Sequence, residues 1–203
     1  MVKVKVCGIK RVEDALYALE LGADYIGIIL YPKSPRFAPP ELRREIIRET
    51  KGAKRVAVMV NPSRDEVLRV LDEGFELVQL HGEESITVAK EVGLDRVIKA
   101  FRVRKKVPNI DEGWKDGYAV LLDTYSEKSY GGTGKSFNWE IAKEVVGKGF
   151  KLFLSGGLNP ENVKKAVSEV KPYAVDVSSG VESEPGVKDK IKLKRFIEEA
   201  KSL

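Results

Sequence analysis

The amino-acid sequence predicts an α/β fold, a closed (β/α)8 barrel with a parallel eight-stranded core, on three observations. Eight short runs rich in β-branched and aromatic residues recur along the chain. Segments with helical spacing alternate with them, which calls for a parallel sheet. The 203 residues divide into eight units of about 25, close to the minimum for a strand, a helix and two tight loops. A doubly wound open sheet is the alternative, but it usually has about five or six strands and a glycine-rich turn after the first. The first turn here, Cys7-Gly8-Ile9-Lys10, carries no dinucleotide fingerprint. No linker or low-complexity stretch interrupts the chain, so residues 1–203 are expected to form one domain.

The expected strands are residues 2–7, 24–30, 55–60, 77–80, 96–101, 118–122, 152–154 and 173–177. In the first, period-two alternation puts Val2, Val4 and Val6 on the face that packs against helices and Lys3, Lys5 and Cys7 on the face inside the barrel. Pro40 fits the first turn of a helix after the second strand. After the third, Ser63-Arg64-Asp65-Glu66 forms a capping box ahead of Val67, Leu68 and Leu71. The fifth crossover is expected to be short or irregular, because residues 103–114 contain Pro108 and little amphipathic pattern. After the seventh strand, Asn159 is a candidate cap for a helix opening at Pro160. Gly22, Gly74, Gly93, Gly117 and Gly149 lead into their strands, as helix ends closed by a left-handed residue do.

Composition excludes several function classes. With Cys7 the only cysteine and His81 the only histidine, neither a disulfide framework nor a multi-cysteine or histidine-rich metal site is available. The longest apolar stretch, residues 25–31, is far short of the roughly 20 needed to span a membrane, and no secretion signal opens the chain. A soluble, cytoplasmic protein without membrane partner is expected. Lys and Arg outnumber Asp and Glu 36 to 31, a net +5 that raises nucleic acid as a partner. That partner requires a clustered basic stripe, whereas here both signs are interspersed. The same interspersion, with one Gln, two Met and one Cys, resembles the composition of hyperthermophile proteins.

In such a barrel the chemistry sits at the C-terminal ends of the strands. Ser155-Gly156-Gly157 and Ser178-Ser179-Gly180 follow the last two strands, and exposed backbone N–H groups, hydroxyls and a helix N-terminus there suit a phosphate. The bland alternative is a tight turn and a helix cap. Gly131-Gly132-Thr133-Gly134-Lys135-Ser136 resembles a nucleotide P-loop but fails its spacing, since Ser129 stands where the first glycine belongs. Residues 125–136 are instead expected to form a flexible loop over the site. Cys7 ends the first strand, either as a small buried hydrophobe or as a thiolate base whose pKa Lys5 lowers. Asp123 ends the apolar run Ala119-Val120-Leu121-Leu122, either as a cap or as a general acid made more basic by desolvation. Thiol and carboxyl across one mouth suit proton-transfer isomerisation without metal or cofactor.

Seven segments, in order and at strand ends, resemble the phosphoribosylanthranilate isomerase family. They are Lys5-Val6-Cys7-Gly8-Ile9, Ser34-Pro35-Arg36, Val78-Gln79-Leu80-His81-Gly82, Asp123, Gly131-Gly132-Thr133-Gly134, Ser155-Gly156-Gly157-Leu158 and Asp176-Val177-Ser178-Ser179-Gly180. The resemblance implies a cofactor-free Amadori rearrangement of N-(5-phosphoribosyl)anthranilate, with Asp123 as acid, Cys7 as base and Arg36 facing the anthranilate carboxylate. Gln79 and His81, alternating around Leu80, are candidates for orienting substrate, with no proton-transfer role given to the histidine. Asp176 either orients substrate or pairs with a buried lysine. The partner implied is a small phosphorylated substrate, and the chain is expected as monomer or homodimer. Competing readings are another phosphate-binding barrel enzyme, such as a thiamine-phosphate synthase or a histidine-pathway sugar isomerase, and a barrel without catalysis kept for binding. The histidine-pathway relatives resemble an aspartate pair, against which Cys7 with Asp123 counts.

Overall fold

The computed structural model describes residues 1–124 and 138–203. Eight parallel strands close into a barrel in sequence order: β1 (Lys3–Cys7), β2 (Tyr25–Ile29), β3 (Lys54–Met59), β4 (Leu77–Leu80), β5 (Val97–Val103), β6 (Ala119–Thr124), β7 (Leu152–Leu154) and β8 (Ala174–Val177). Closure is made by β1 on β8, with Lys3 opposite Ala174 and Val6 opposite Val177. Each expected strand is present, within two residues of its predicted ends.

The helices α1 (Val12–Glu20), α2 (Pro40–Glu49), α3 (Arg64–Asp72), α4 (Ile86–Val92), α5 (Trp139–Gly147), α6 (Val163–Val170) and α7 (Lys190–Lys201) lie between and after the strands. Pro40 opens α2, and the predicted capping box opens α3: the Glu66 amide donates to Ser63 Oγ at 3.3 Å and the Ser63 amide to Glu66 Oε2 at 2.7 Å. Asn159 does cap, accepting from the amides of Glu161 and Asn162, but it caps a turn, and α6 begins at Val163 rather than at Pro160. Between β5 and β6 the crossover reduces to a 3-10 turn, Glu112–Asp116, as Pro108 foreshadowed; Asp111 caps it and Trp114 is buried beneath it. Four of the five strand-leading glycines have positive φ, and Gly117 does not. The expected loop of residues 125–136, with its glycine motif, lies outside the described residues.

One element was not anticipated. After β8 a 3-10 turn, Ser179–Val181, leads into an antiparallel hairpin of β9 (Glu182–Glu184) and β10 (Val187–Lys188), turned through Gly186 at φ +87°.

Alternation along the strands sorts the apolar residues into two cores. Val4 and Val6 join the layer between barrel and helices, as the all-valine face predicts. Inside the barrel, Tyr25, Val56, Leu77, Ile98, Leu121 and Phe153 pack together. The N-terminal end is closed by tyrosines, the Tyr25 hydroxyl lying 2.7 Å from that of Tyr118 and 3.3 Å from that of Tyr173. The apolar and aromatic filling gives way to charge at the opposite end.

Candidate active site

Cys7 closes β1 opposite Gly27 of β2 and faces the barrel interior, only 5% exposed. Gly27 is what makes room for it: a Cβ there would stand 2.8 Å from Cys7 Sγ and 3.1 Å from Lys5 Nζ. Glycine inside a strand marks such a close approach. One layer below, Lys5 is fully buried and donates to Asp176 Oδ1 of β8 at 2.7 Å, while Ser155 Oγ donates to Asp176 Oδ2 at 3.1 Å. Of the two roles left open for Asp176, the structure shows pairing with a buried lysine.

Lys5 does pull the Cys7 thiol down, as expected, but the expected net lowering is not reached. Burial pushes the thiol above its ordinary range, and the charge of Asp176 pushes the same way; Lys5 and Lys188 pull it down by less. Burial of the thiol is the largest effect, and Lys5 also serves Asp176. Burial works against its ammonium, but Asp176 and the thiol together hold its pKa above the usual lysine value.

Across the mouth, Asp123 at the end of β6 is 5% exposed and accepts the Thr124 amide at 2.8 Å. Its Oδ2 lies 3.4 Å from His81 Nε2. Gln79 and His81 share one face, as their spacing predicts, with Gln79 Nε2 2.8 Å from His81 Nδ1. The loop that carries His81 is fixed from behind by a buried pair that sequence reasoning missed. Lys99 donates to Glu84 and to the Gly82 carbonyl, both at 2.7 Å, and Glu84 Oε1 accepts the Asn61 amide at 2.7 Å.

Asp123, Asp176 and the loops after β7 and β8 line one narrow cleft. Gly156 and Gly157 line it with φ of +85° and +70°, a backbone conformation that favours glycine. Gly180 backs directly onto the Leu158 carbonyl, an approach no side chain would permit. Among the described residues the amides of Gly156, Gly157, Ser179 and Gly180 donate no hydrogen bond, and the buried Ser178 Oγ has no partner. Free donors gathered on one cleft suit an oxyanion. Ser155 departs from the expected phosphate set: its amide donates to the Leu122 carbonyl and its hydroxyl to Asp176, so both donors are occupied.

Arg36 stands in the loop after β2, with Nε 2.9 Å and Nη2 2.7 Å from the carboxylate of Glu182 in β9. Lys188 of β10 donates to Glu182 at 2.8 Å and to the Cys7 carbonyl at 2.6 Å. Burial opposes both charges: it draws Lys188 below the lysine range despite Glu182, whereas Arg36 and Lys188 together outweigh it and hold Glu182 below the carboxylate range. Neither Glu182 nor Lys188 was foreseen; the one hint was that Glu182 follows the Ser-Ser-Gly loop by two residues. Among the described residues no group of three His, Cys, Asp or Glu side chains is placed to hold a metal ion.

Comparison with known proteins agrees with this geometry. The family model described as N-(5'-phosphoribosyl)anthranilate (PRA) isomerase matches residues 4–199. An N-(5'-phosphoribosyl)anthranilate isomerase of Aquifex aeolicus is 58% identical over 204 residues, covering all of both chains. The crystal structure of the Thermotoga maritima enzyme superposes with TM-score 0.91 at 42% identity over the full length of both, and a further structure describes that enzyme as dimeric, with monomers generated from it. An isomerase solved with reduced 1-(o-carboxyphenylamino)-1-deoxyribulose 5-phosphate matches at TM-score 0.82 and 39% identity, again over both whole chains. The chain belongs to the N-(5'-phosphoribosyl)anthranilate isomerase family.

Proposed function

We propose that this protein converts N-(5-phosphoribosyl)anthranilate to 1-(2-carboxyphenylamino)-1-deoxyribulose 5-phosphate, a step of tryptophan biosynthesis, with Asp123 as general acid and Cys7 as general base. The observation that carries the reading is the shared cleft. Asp123 lines it together with four free amides, and Asp176 on its wall is hydrogen-bonded to the Lys5 ammonium beside the thiol. The amides of Gly156, Gly157, Ser179 and Gly180, with Ser178 Oγ, hold the phosphate and set the ribose between acid and base.

The protons balance. Asp123 gives one to the furanose ring oxygen, the C1′–O bond breaks, and a protonated Schiff base forms. Cys7 then takes the proton from C2′, giving an enolamine that tautomerises to the ketone. In the empty cleft burial pushes the thiol's pKa up. The cationic Schiff base forming next to it favours the thiolate; the thiol proton leaves to water before C2′ is deprotonated, and a proton from water restores Asp123 afterwards, so acid and base return to their starting states. Gln79 and His81 orient Asp123 and the substrate, and Arg36 meets the anthranilate carboxylate, where a guanidinium offers two parallel donors. No cofactor has a step in this scheme. A small phosphorylated substrate is the partner, and a homodimer, as described for the Thermotoga maritima relative, is the assembly this reading favours over a monomer. This reading favours a cytoplasmic location, since a substrate carrying ionised phosphate does not cross a membrane unaided. Among the described residues no helix is long and apolar enough to cross a membrane.

The test is direct. Purified protein with a chelator and no nucleotide should consume phosphoribosylanthranilate, seen as loss of its fluorescence, and absence of turnover refutes the assignment. Cys7→Ala and Asp123→Asn should each slow turnover by about a hundredfold or more, the usual range for acid–base groups.

A further inference from the structure

Three charged side chains at the mouth, Arg36, Glu182 and Lys188, form a sealed cluster that the proton-transfer scheme leaves unexplained; their side chains are 11%, 4% and 1% exposed. We propose that Glu182 is a positioning residue, holding Arg36 so that its free edge meets the carboxylate on the substrate's aromatic ring, and that the β9–β10 hairpin is thereby a specificity element of the site. The inference rests on the assignment of Arg36 to that carboxylate.

The geometry divides the guanidinium in two. Arg36 Nε donates to Glu182 Oε1 at 2.9 Å and Oε2 at 3.1 Å, and Nη2 to Oε2 at 2.7 Å, so one edge is occupied. Nη1 has no partner among the described residues. A guanidinium has five N–H donors in a fixed fork, so a second carboxylate can still bind the Nη1–Nη2 edge side by side. Without Glu182 the long side chain would spread over its rotamers, and that edge would be aimed only part of the time.

Glu182 is itself held from several sides. Lys188 bonds to it and also to the carbonyls of Cys7, at 2.6 Å, and Ser178, at 3.3 Å, which ties the hairpin to the end of β1 and to the phosphate loop. The Lys188 amide donates to Asp14 Oδ2 of α1 at 3.1 Å. Gly8 completes the arrangement, since a Cβ there would stand 2.7 Å from Arg36 Cδ and 2.8 Å from Ser178 Oγ. Two cations against one anion leave the sealed cluster with an excess positive charge, which an arriving carboxylate neutralises. A pair kept for stability alone would need neither the second cation nor the open edge.

The experiment compares two stable ligands by calorimetry: reduced 1-(o-carboxyphenylamino)-1-deoxyribulose 5-phosphate and the same molecule without its carboxyl group. The wild type should prefer the carboxylated ligand by about tenfold or more, the scale of a charge-assisted bidentate pair. Arg36→Met should abolish the preference. Glu182→Gln should reduce it to about threefold or less and leave affinity for the carboxyl-free ligand unchanged, a split that general loosening of the fold would not give. Glu182→Gln leaves two buried cations together; if it does not fold, Glu182→Gln/Lys188→Met restores the original net charge of the cluster and should show the same reduced preference. Full preference in either Glu182 variant overturns the proposal. Full preference in Arg36→Met, or none in the wild type, instead removes the assignment of Arg36, and the proposal falls with it.

Discussion

Replacing Lys5 by Met leaves the Asp176 carboxylate in the barrel without its cation. In the folded protein Nζ and Oδ1 are 2.7 Å apart, and the two side chains are 0% and 6% exposed. Removing one member of so buried a pair costs about 3–5 kcal/mol, because the remaining charge stays desolvated. Asp176 keeps the hydrogen bond from Ser155 Oγ at 3.1 Å, which favours the lower end, about 3 kcal/mol. At about 2–4 °C per kcal/mol for a chain of this size, Tm should fall by about 6–12 °C in scanning calorimetry at neutral pH. Lys5→Met/Asp176→Leu removes both charges and should recover most of that loss, since apolar replacements of buried pairs are often neutral or better. A fall of less than about 2 °C for the single variant, or a double variant no more stable than the single, would refute the claim that the pair is desolvated and mutually dependent.

Because burial holds the Cys7 thiol above its ordinary range, iodoacetamide should alkylate this only cysteine more slowly at pH 8 than it alkylates a free thiol, with the inflection of rate against pH displaced upward. The sign extends to stability. The folded state keeps a proton that the unfolded chain loses above about pH 8.5, so wild type should lose stability relative to Cys7→Ala as pH rises beyond it; an unchanged difference contradicts the reasoning. Gln79 Nε2 donates to His81 Nδ1 at 2.8 Å, which leaves the neutral ring's proton on Nε2, toward Asp123. As the only imidazole it gives one set of ¹⁵N signals, and an Nδ1–H tautomer would show the glutamine amide to be reversed. Gly180→Ala forces a methyl against the Leu158 carbonyl; ribose 5-phosphate affinity should drop about tenfold or more as two amide donors are displaced, and unaltered affinity would move the phosphate elsewhere.

The barrel was legible in the sequence because its signals are local and repeated. Period-two runs ending at Cys7, Leu80 and Val177, and the capping box at Ser63, each announce themselves within a few residues. The start of α6 was misplaced because Asn159 caps equally well a turn or a helix, and Pro160 tolerates either. The β9–β10 hairpin was missed for another reason. Glu182–Glu184 and Val187–Lys188 are too short and too charged to show alternation, and the eight-unit period leaves no place for them.

For the site, position could be read and partnership could not. That Cys7, Asp123 and the two glycine loops end strands follows from their places in the pattern. That the Lys5 charge is spent on Asp176 depends on β1 closing against β8, a contact spanning 171 residues. The Cys7 thiol was read from its neighbour along the strand, whereas burial, the largest effect, and Asp176 across the barrel both push it the other way. The interior as a whole argues in the same direction. At one end it is filled by Tyr25, Tyr118 and Phe153, and in the middle by Val56, Leu77, Ile98 and Leu121. At the other end Lys5 is buried against Asp176 inside the barrel, while Lys99 with Glu84 and Lys188 with Glu182 are buried outside it, on the helix-facing side of β5 and in the β9–β10 hairpin. Apolar replacements of such buried pairs are often neutral or stabilising. Among the described residues, three buried pairs that support the elements carrying the thiol, the histidine loop and the arginine are therefore explained by what they orient, and not by the stability they confer.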